Sequence, residues 1–295
     1  MKAHARSSTV AENIPPHREW LASIDLRYQN RPGKSALITA THTGPLRVQR
    51  PFYPEKDGTC HTYLLHPPGG MAVGDRLAIG ATLEANTSVL ITTPSAGKMY
   101  GTKGVKNAAS MPQVQDVQLT CGEGSMCEWL PQETIIFDAA QAKIDTKIEL
   151  ADDAKFIGWD IIRLGRVASG EHFSSGYCHQ NLRCYRDGKL IFRELNLLEA
   201  SSKMMGSKWG LRNANTLATM LCTLELDRDQ VDRLYELLTV DENSAWGLTQ
   251  KGSLFIARYL GTSILDCRAG LQTIWHFVRP LMAGKKACDP RIWNT

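Results

Sequence analysis

Several sequence patterns that mark common enzymes and metal-binding proteins are missing from this chain of 295 residues. No two of its eight cysteines are spaced as Cys-x-x-Cys, which argues against a structural zinc site. No Gly-x-Ser-x-Gly sequence is present, so the nucleophile turn of an α/β-hydrolase is absent. His172 and His179 have no recognisable nucleophile at a useful spacing. We therefore expect a protein without hydrolytic activity of its own.

The glycine-rich loop that holds phosphate groups is also missing. Gly33, Lys34 and Ser35 have the order found at the end of such a loop, but Tyr28 stands where the pattern requires its first glycine. The sequence that follows, ALITAT, is typical of a strand and not of a helix whose N-terminus could bind phosphate. These residues predict a hairpin turn, and we expect no nucleotide binding by the chain alone.

Long apolar runs and a concentrated positive charge are two further features that the chain lacks. Without an apolar run near its start or of membrane-spanning length, we expect a cytoplasmic protein, with residues 1–17 as a flexible N-terminus and no membrane partner. The 34 basic and 30 acidic residues are spread along the chain, which argues against nucleic acid as a partner. Its cysteines are expected to be free thiols, some of them buried.

Alternating apolar and polar residues dominate residues 18–200 and predict a β-rich core of about a dozen strands. Trp20, Ala22, Ile24, Leu26 and Tyr28 fall on one side of the first such run. The fold class predicted from this pattern is mainly β.

A different pattern follows in residues 201–295, which we expect to form a small α+β portion packed on the core, within one structural unit. Residues 227–239 have apolar side chains at helical spacing behind a capping Asp227. A second helix is predicted from Ser263 to Leu281, and GSLFIARYLG between the two helices reads as a strand.

Cys60, His61 and His66 form the densest group of residue types that bind transition metals. In a strand, successive side chains point to opposite faces, so only Cys60 and His66 would share one. Six residues of extended chain separate them by about 20 Å, far beyond the reach of a single metal ion. The sequence favours packed residues of a β-unit, and only a bend at Pro67 and Pro68 could bring His66 back toward Cys60.

Acidic residues within strand-like sequence form a second candidate set. The expected explanation for any one of them is a solvated strand edge or a structural ion pair. The set consists of Asp75, Glu133, Asp160, Glu171 and Glu194.

Five ordered segments of the chain resemble the urease accessory protein family UreD. They are GPLRVQRPFYPEKDGTCHTYLLHPPGGMAVGD (44–75), CEWLPQETIIF (127–137), GWDIIRLGRVASGEHF (158–173), LIFREL (190–195) and IWHFVRPLMAGKKACDPRIW (274–293). The resemblance extends from about Trp20 to Trp293 and is weaker between residues 200 and 260.

The resemblance implies a β-helix-like stack of sheets and a non-catalytic chaperone for urease. Members of this family join UreF and the GTPase UreG and dock on the urease apoprotein, UreABC. GTP hydrolysis would then belong to UreG, and the chain would need no tightly bound cofactor. Nickel would be its transient cargo, led through an internal passage to the urease active site.

The resemblance also suggests roles for individual residues. The acidic positions of the passage fall on Asp75, Asp160 and Glu194, with Glu133 as a further candidate. Scattered carboxylates and water hold Ni²⁺ loosely, whereas nitrogen and sulfur ligands bind it tightly, so carboxylates suit a path that must release the ion. Transient nickel contacts near an entrance are a second suggested role, for Cys60, His61 and His66.

The C-terminal segment is the expected contact with UreF, because aromatic and arginine side chains are enriched at protein interfaces. A packed terminal helix explains the same residues equally well. They are Trp275, Phe277, Arg279, Arg291 and Trp293.

Two alternative functions stay open. A purely structural scaffold between urease and UreF would need almost the same sequence, with no nickel passing through it. A metal-dependent hydrolase would need three converging ligands and an open coordination position, which the strand geometry of residues 60–66 disfavours. Convergence of the acidic residues on one interior channel would separate the nickel path from the scaffold.

Overall fold

The described part of the chain is built mainly from β-strands. The structure is a computed structural model that describes residues 20–105, 111–238, 240 and 242–294. The predicted flexible segment 1–17 lies outside these residues. The first strands are β1 (Leu21–Arg31), β2 (Lys34–Thr43), β3 (Arg47–Val48), β4 (Cys60–Leu65), β5 (Arg76–Leu83), β6 (Ser88–Thr92), β7 (Gly97–Met99), β8 (Gln113–Cys121) and β9 (Met126–Trp129).

The remaining elements include both helices. They are β10 (Thr134–Ile136), β11 (Gln141–Leu150), β12 (Lys155–Leu164), β13 (Tyr177–Arg186), β14 (Lys189–Glu199), β15 (Thr216–Cys222), α1 (Arg228–Leu237), β16 (Ala245–Lys251), β17 (Leu254–Gly261) and α2 (Ile264–Ala283).

The chain winds between two sheets as a coil. The first sheet has the order β14-β13-β11-β8-β5-β1-β2, and the main path of the second is β16-β17-β15-β12-β9-β6-β4-β3. From β4 to β13 the long strands alternate between the sheets, and successive strands within each sheet are parallel. This arrangement confirms the predicted mainly β, β-helix-like stack with two helices.

Each sheet contributes one face to a shared apolar core. Ile24 and Leu119 of the first sheet and Ile91, Phe156 and Ile162 of the second all belong to one cluster of buried side chains. Strand alternation explains this, because every second residue of each strand points between the sheets. Ala22, Ile24, Leu26 and Tyr28 are buried as the sequence predicted, but Trp20 is 52% exposed.

The outer face of the second sheet carries α1 and α2. Trp159 and Met220 from the sheet and Leu234, Leu271 and Trp275 from the helices form a second buried cluster. The described layers are therefore sheet, sheet and helices. The three strands β15 to β17 extend the second sheet, so residues 201–295 share a sheet with the core. The proposed division at residue 200 stays a prediction.

Local sequence signals explain where the two helices begin. Asp227 caps α1, because its side chain accepts a hydrogen bond from the Gln230 backbone at 2.8 Å. The Gln230 side chain in turn accepts a hydrogen bond from the Asp227 backbone, which completes a capping box. Ser263 caps α2 through a hydrogen bond from the Asp266 backbone at 3.1 Å. Both helices were predicted, and the strand at GSLFIARYLG is β17.

The predicted turn at Gly33 is confirmed, since β1 and β2 pair across it as an antiparallel hairpin and Gly33 has a positive φ of 79°. Two short strands, β9 and β10, follow each other within residues 126–137. Pro131 lies between β9 and β10, where a missing backbone donor is tolerated.

Candidate functional site

A cavity of about 340 Å³ lies between the two sheets, at the end where β4, β6 and β9 finish. Apolar side chains supply most of its wall, among them Leu64, Leu77, Met99, Trp129 and Ile144. Its polar lining includes His66, Lys98, Gln115, Gln132, Thr134 and Asp160. Two of the residues proposed from the sequence, His66 and Asp160, therefore line one space.

Asp160 is the carboxylate of this cavity. It lies on β12 and its carboxylate accepts a hydrogen bond from Thr146 of the facing sheet at 3.0 Å. Burial raises the pKa of Asp160, the Thr146 hydrogen bond partly offsets that rise, and the negative charge of Glu194 raises the pKa further. The indole of Trp129, which lines the same cavity, also lowers the pKa of Asp160. Asp160 and Trp129 thus add to the polar part of a mainly apolar cavity wall.

Glu194 lies beyond Asp160, toward the edge of the two sheets. It lies on β14 of the first sheet and reaches across to the second, where Thr219 donates to it at 2.5 Å and Arg258 at 2.6 Å. Asp160 on β12 lies opposite Thr219 on the paired strand β15, and Thr219 lies opposite Arg258 on β17. These three residues therefore form one row across the second sheet. Asp160 and Glu194 are thus brought together by the fold.

Further polar side chains of the first sheet face the same row. Asn196 donates to Gln180 at 3.0 Å, and Gln180 contributes a hydrogen bond that lowers the pKa of Asp160. We call the whole group the inter-sheet seam. It comprises Thr146, Asp160, Gln180, Glu194, Asn196, Thr219 and Arg258. The seam extends from the cavity, at Asp160, to Arg258, whose side chain is 45% exposed.

Sequence analysis identified only Asp160 and Glu194 among the residues of the seam. Strand parity could have indicated Asp160, because it falls on the same side of β12 as the buried Phe156 and Ile162. Thr219 and Arg258 lie on strands that had no assigned role.

Asp75 lies apart from the seam, in the turn before β5, where its carboxylate accepts a hydrogen bond from the Ala72 backbone at 2.7 Å. Burial raises the pKa of Asp75, while nearby His66 lowers it. Burial likewise lowers the pKa of His66, while Asp75 raises it. Both residues belong to the connection between β4 and β5, so Asp75 lies at the end of the structure where His66 lines the cavity.

Glu133 occupies the other side of the second sheet from the cavity. Its neighbours Gln132 and Thr134 line the cavity, whereas Glu133 acts electrostatically on Arg163 and Cys267, a residue of α2. One carboxylate oxygen of Glu133 is buried without a hydrogen-bond partner. The structure does not bring Glu133 together with Asp160.

Cys60 and His61 lie on opposite faces of β4, as the strand geometry requires. Cys60 packs in the core between the sheets, and burial raises the pKa of its thiol. His61 points to the helix side, where its Nε2 is 2.9 Å from a Glu55 carboxylate oxygen. His66 is beyond the end of β4. The three residues therefore do not form a common site.

A buried ionic cluster lies on this helix side and was not anticipated. Arg279 of α2 contacts Glu55 at 2.7 Å and Glu128 at 2.9 Å, and Lys285 contacts Glu55 at 3.4 Å. Burial raises the pKa of Glu55, but hydrogen bonds from His61 and Arg279 and the nearby positive charges outweigh it and lower the pKa to about 2. The cluster joins the C-terminal helix to β4, β9 and residues 55–59.

The five C-terminal residues proposed to contact a partner differ in exposure. Trp275 and Arg279 are fully buried, so they complete the fold. Trp293 is partly buried, donates to Thr92 at 2.8 Å, and packs against Trp275 with ring centres 5.7 Å apart. Phe277 is partly buried and Arg291 is exposed. A partner contact at this segment stays a prediction.

Two kinds of feature are absent from the part of the chain that the structure describes. Within residues 20–105, 111–238, 240 and 242–294, no three or more His, Cys, Asp or Glu side chains are close enough to hold one metal ion. In the same residues, neither helix combines the length and the apolar character needed to cross a bilayer.

Fold and site together define a class: a two-sheet β-coil with a helical outer layer, which encloses a cavity and a partly buried carboxylate seam. Residues 21–294 match the family described as UreD urease accessory protein. The chain belongs to this family, which confirms the resemblance seen in the sequence.

Named relatives support the same assignment. The urease accessory protein UreD of Saccharophagus degradans is 55% identical over 291 residues, which cover 98% of this chain and 97% of the relative. The protein of the same name from Dechloromonas aromatica is 39% identical over 293 residues, covering 98% and 100%. That of Pseudomonas fluorescens Pf-5 is 39% identical over 276 residues, covering 94% and 95%. The chain therefore has a role in urease maturation.

Proposed function

We propose that the chain is a non-catalytic urease maturation chaperone that, with UreF and UreG, docks on the urease apoprotein and conducts nickel to it. GTP hydrolysis is assigned to UreG, and nickel passes through this chain as cargo without a resident site. The cytoplasmic location expected from the sequence stays a prediction.

The observation that carries the proposal is the contact of the cavity with the inter-sheet seam. Carboxylates buried among apolar side chains are unfavourable unless they are paired, hydrated or bound to a cation. Asp160 accepts hydrogen bonds. Among the described residues, however, no lysine or arginine forms an ion pair with it, and Arg258 pairs with Glu194 instead. A hydrated path occupied transiently by Ni²⁺ would compensate for its burial.

The chemistry of the seam suits transport better than storage. Its ligand atoms are carboxylate, amide and hydroxyl oxygens, which bind Ni²⁺ more weakly than imidazole or thiolate does. A conducting path requires contacts strong enough to admit an ion and weak enough to release it. Asp160 and Glu194 would hold the ion in turn, and His66 with Asp75 would contact it near the end of the cavity.

A structural scaffold that conducts no nickel is the second candidate. The apolar side chains that make up most of the cavity wall favour it, because they offer an ion no ligands. In that case the seam would serve only to hold the two sheets together through Glu194 and Arg258.

Two isosteric substitutions test the proposal. Asp160→Asn and Glu194→Gln remove a charge while keeping the shape of the side chain, and Glu199→Gln on the same strand as Glu194 is the control, since the Glu199 side chain is 58% exposed. Each variant is co-expressed with UreF, UreG and urease. Complex assembly is measured by size-exclusion chromatography, and nickel per urease active site is measured by elemental analysis.

The expected result is normal assembly with a severalfold loss of nickel and urease activity for Asp160→Asn and Glu194→Gln. Glu199→Gln should behave as the wild type. Full nickel loading by both seam variants would favour the scaffold and reject the seam as the nickel path.

A further inference from the structure

A fully exposed tryptophan stands on the long loop between β14 and β15. Trp209 is 87% exposed, more than any other large hydrophobic residue among the described residues. The ammonium of Lys208 lies 4.9 Å from the centre of its ring. Lys203 and Arg212 are exposed on the same loop, and no aspartate or glutamate occurs between Glu199 and Glu225. The loop therefore presents an indole whose charged neighbours within the loop are all basic.

Internal hydrogen bonds fix the shape of this loop. The backbone N–H of Leu211 donates to Met204 at 2.9 Å and that of Asn213 donates to Met205 at 2.8 Å. Leu211 is buried in the core between the sheets, which anchors the loop. The exposure of Trp209 is thus a property of an ordered loop. Since the backbone of the loop already has this shape, burial of Trp209 against a partner would need little further ordering of the backbone.

Backbone strain is also present at the end of the loop. Arg212 and Asn213 both have a positive φ, of 50° and 62°. This backbone conformation is unfavourable for residues other than glycine and is unusual at two consecutive positions. Such strain is stable only where the surrounding structure enforces it, and it clusters at functional sites. The loop conformation is therefore maintained against its local preference.

The loop lies at the cavity end of the two-sheet stack. It leaves β14 at Glu199 and enters β15 at Thr216, and β15 is antiparallel to β12. The last residue of β12, Leu164, donates to Asn215 at 2.7 Å. Since β6, β9 and β12 are parallel, the cavity-lining segments that follow β6 and β9 lie at this same end.

We propose that the basic indole loop, defined as Lys203, Lys208, Trp209 and Arg212, docks on an acidic protein surface of the urease maturation complex. The indole enters an apolar pocket of that partner while the three cations face its carboxylates. Tryptophan and arginine are the side chains most enriched at binding hot spots, and complementary charge speeds encounter and fixes orientation. This inference rests on the proposed function. The partner would then bind at the same end of the two-sheet stack as the cavity.

The experiment measures binding of two purified probes, urease apoprotein and UreF, each alone, to the full chain by biolayer interferometry. The variants are Trp209→Ala, Trp209→Phe and the charge reversal Lys203→Glu/Lys208→Glu/Arg212→Glu. Leu265→Ala is the control, because Leu265 is 72% exposed on α2 and lies outside the loop. Thermal unfolding verifies that each variant is folded.

For at least one probe, we expect Trp209→Ala and the charge reversal each to weaken binding tenfold or more, with Trp209→Phe intermediate and Leu265→Ala unchanged. Raising the salt concentration should weaken wild-type binding but strengthen the residual binding of the charge-reversed variant, because salt screens the repulsion between its glutamates and the acidic partner. Unchanged binding of both probes by Trp209→Ala would overturn the proposal.

Two other outcomes would overturn it as well. One is a loss of binding to phosphatidylglycerol vesicles in Trp209→Ala without any loss for the two protein probes, since the loop would then face a lipid surface. The other is a wild-type chain that is dimeric in solution and a Trp209→Ala variant that is monomeric, with normal probe binding. Nickel loading by Asp160→Asn is measured separately, so failure of the nickel path and failure of this docking surface give different results.

Discussion

Arg279 of α2 and Glu128 of β9 form an ion pair that is completely removed from solvent. The Arg279 Nε atom is 2.9 Å from Glu128 Oε2 and 3.0 Å from Oε1, and neither side chain has any exposed surface. Trp275 donates to the same carboxylate at 2.7 Å. The pair connects residues 151 positions apart in the sequence. It therefore fixes the helical layer on the second sheet.

Removal of Arg279 should strongly destabilise the chain. Arg279→Met leaves the carboxylates of Glu128 and Glu55 buried without their main partner, and loss of one member of a buried pair costs about 3–5 kcal/mol. The free energy of unfolding, measured with urea, should fall by that amount. Arg228→Met is the control, because the Arg228 side chain is 93% exposed. A loss for Arg279→Met no larger than that of the control would show that the pair contributes little.

Glu55 should make the stability of the chain depend on pH. Its pKa is lowered from 4.5 to about 2, so its ionised form stabilises the fold above the unfolded-state pKa, and this stabilisation is lost as the pH falls through about 2. The stability difference between wild type and Glu55→Gln should therefore be largest near neutral pH and shrink as the pH falls below about 4. Urea titrations at several pH values measure it, with exposed Glu236→Gln as control. A difference that is constant with pH would contradict this account.

Gly270 of α2 should not tolerate a side chain, despite the general preference of helices for alanine. A Cβ atom there would lie 2.1 Å from the Trp246 ring, and Trp246 is 9% exposed and packed. Overpacking costs about 1–3 kcal/mol, more than the roughly 1 kcal/mol that alanine gains over glycine in a helix. We expect Gly270→Ala to lower the melting temperature. Gly247→Ala, where nothing lies within 4 Å of the added atom, should leave it unchanged or raise it. Equal melting temperatures for the two variants would refute the steric argument.

The thiols of the chain should differ sharply in reactivity. Seven cysteines are buried and only Cys288 is partly exposed. Burial raises the pKa of Cys178 and of Cys184 to about 12, so these thiols stay protonated as well as inaccessible at ordinary pH. The folded chain should react with Ellman's reagent at a single thiol, and Cys288→Ser should abolish that phase. Several rapidly reacting thiols in the folded Cys288→Ser variant would contradict the packing described.

Local features of the fold were predictable because neighbouring residues encode them. The hairpin at Gly33 and the cap of α1 at Asp227 depend on residues within a few positions of each other, and both are confirmed. The alternation of strands between two sheets was not predictable from period-two patterns. Such a pattern shows that one face of a strand is buried, but it does not identify the sheet to which the strand belongs.

The candidate site shows the same limit. Asp160 and Glu194 were proposed through the family resemblance, whereas their partners Thr219 and Arg258 come from strands far along the chain. Glu128 was overlooked, because its pairing with Arg279 depends on how α2 packs. A single sequence contains no direct signal for contacts between residues that are so far apart along the chain.

The most direct measurement of the central claim, passage of nickel between the two sheets, is a steric block of the cavity. Ala96 lines the cavity, and Ala96→Phe would fill part of its volume without removing any charged group. Ala269→Phe on the exposed side of α2 is the matched control. Each variant is assembled with UreF, UreG and apourease, and nickel per active site is determined after purification. The account predicts normal assembly with strongly reduced nickel for Ala96→Phe and full loading for Ala269→Phe. Full loading of urease by an assembled, folded Ala96→Phe chain would contradict it.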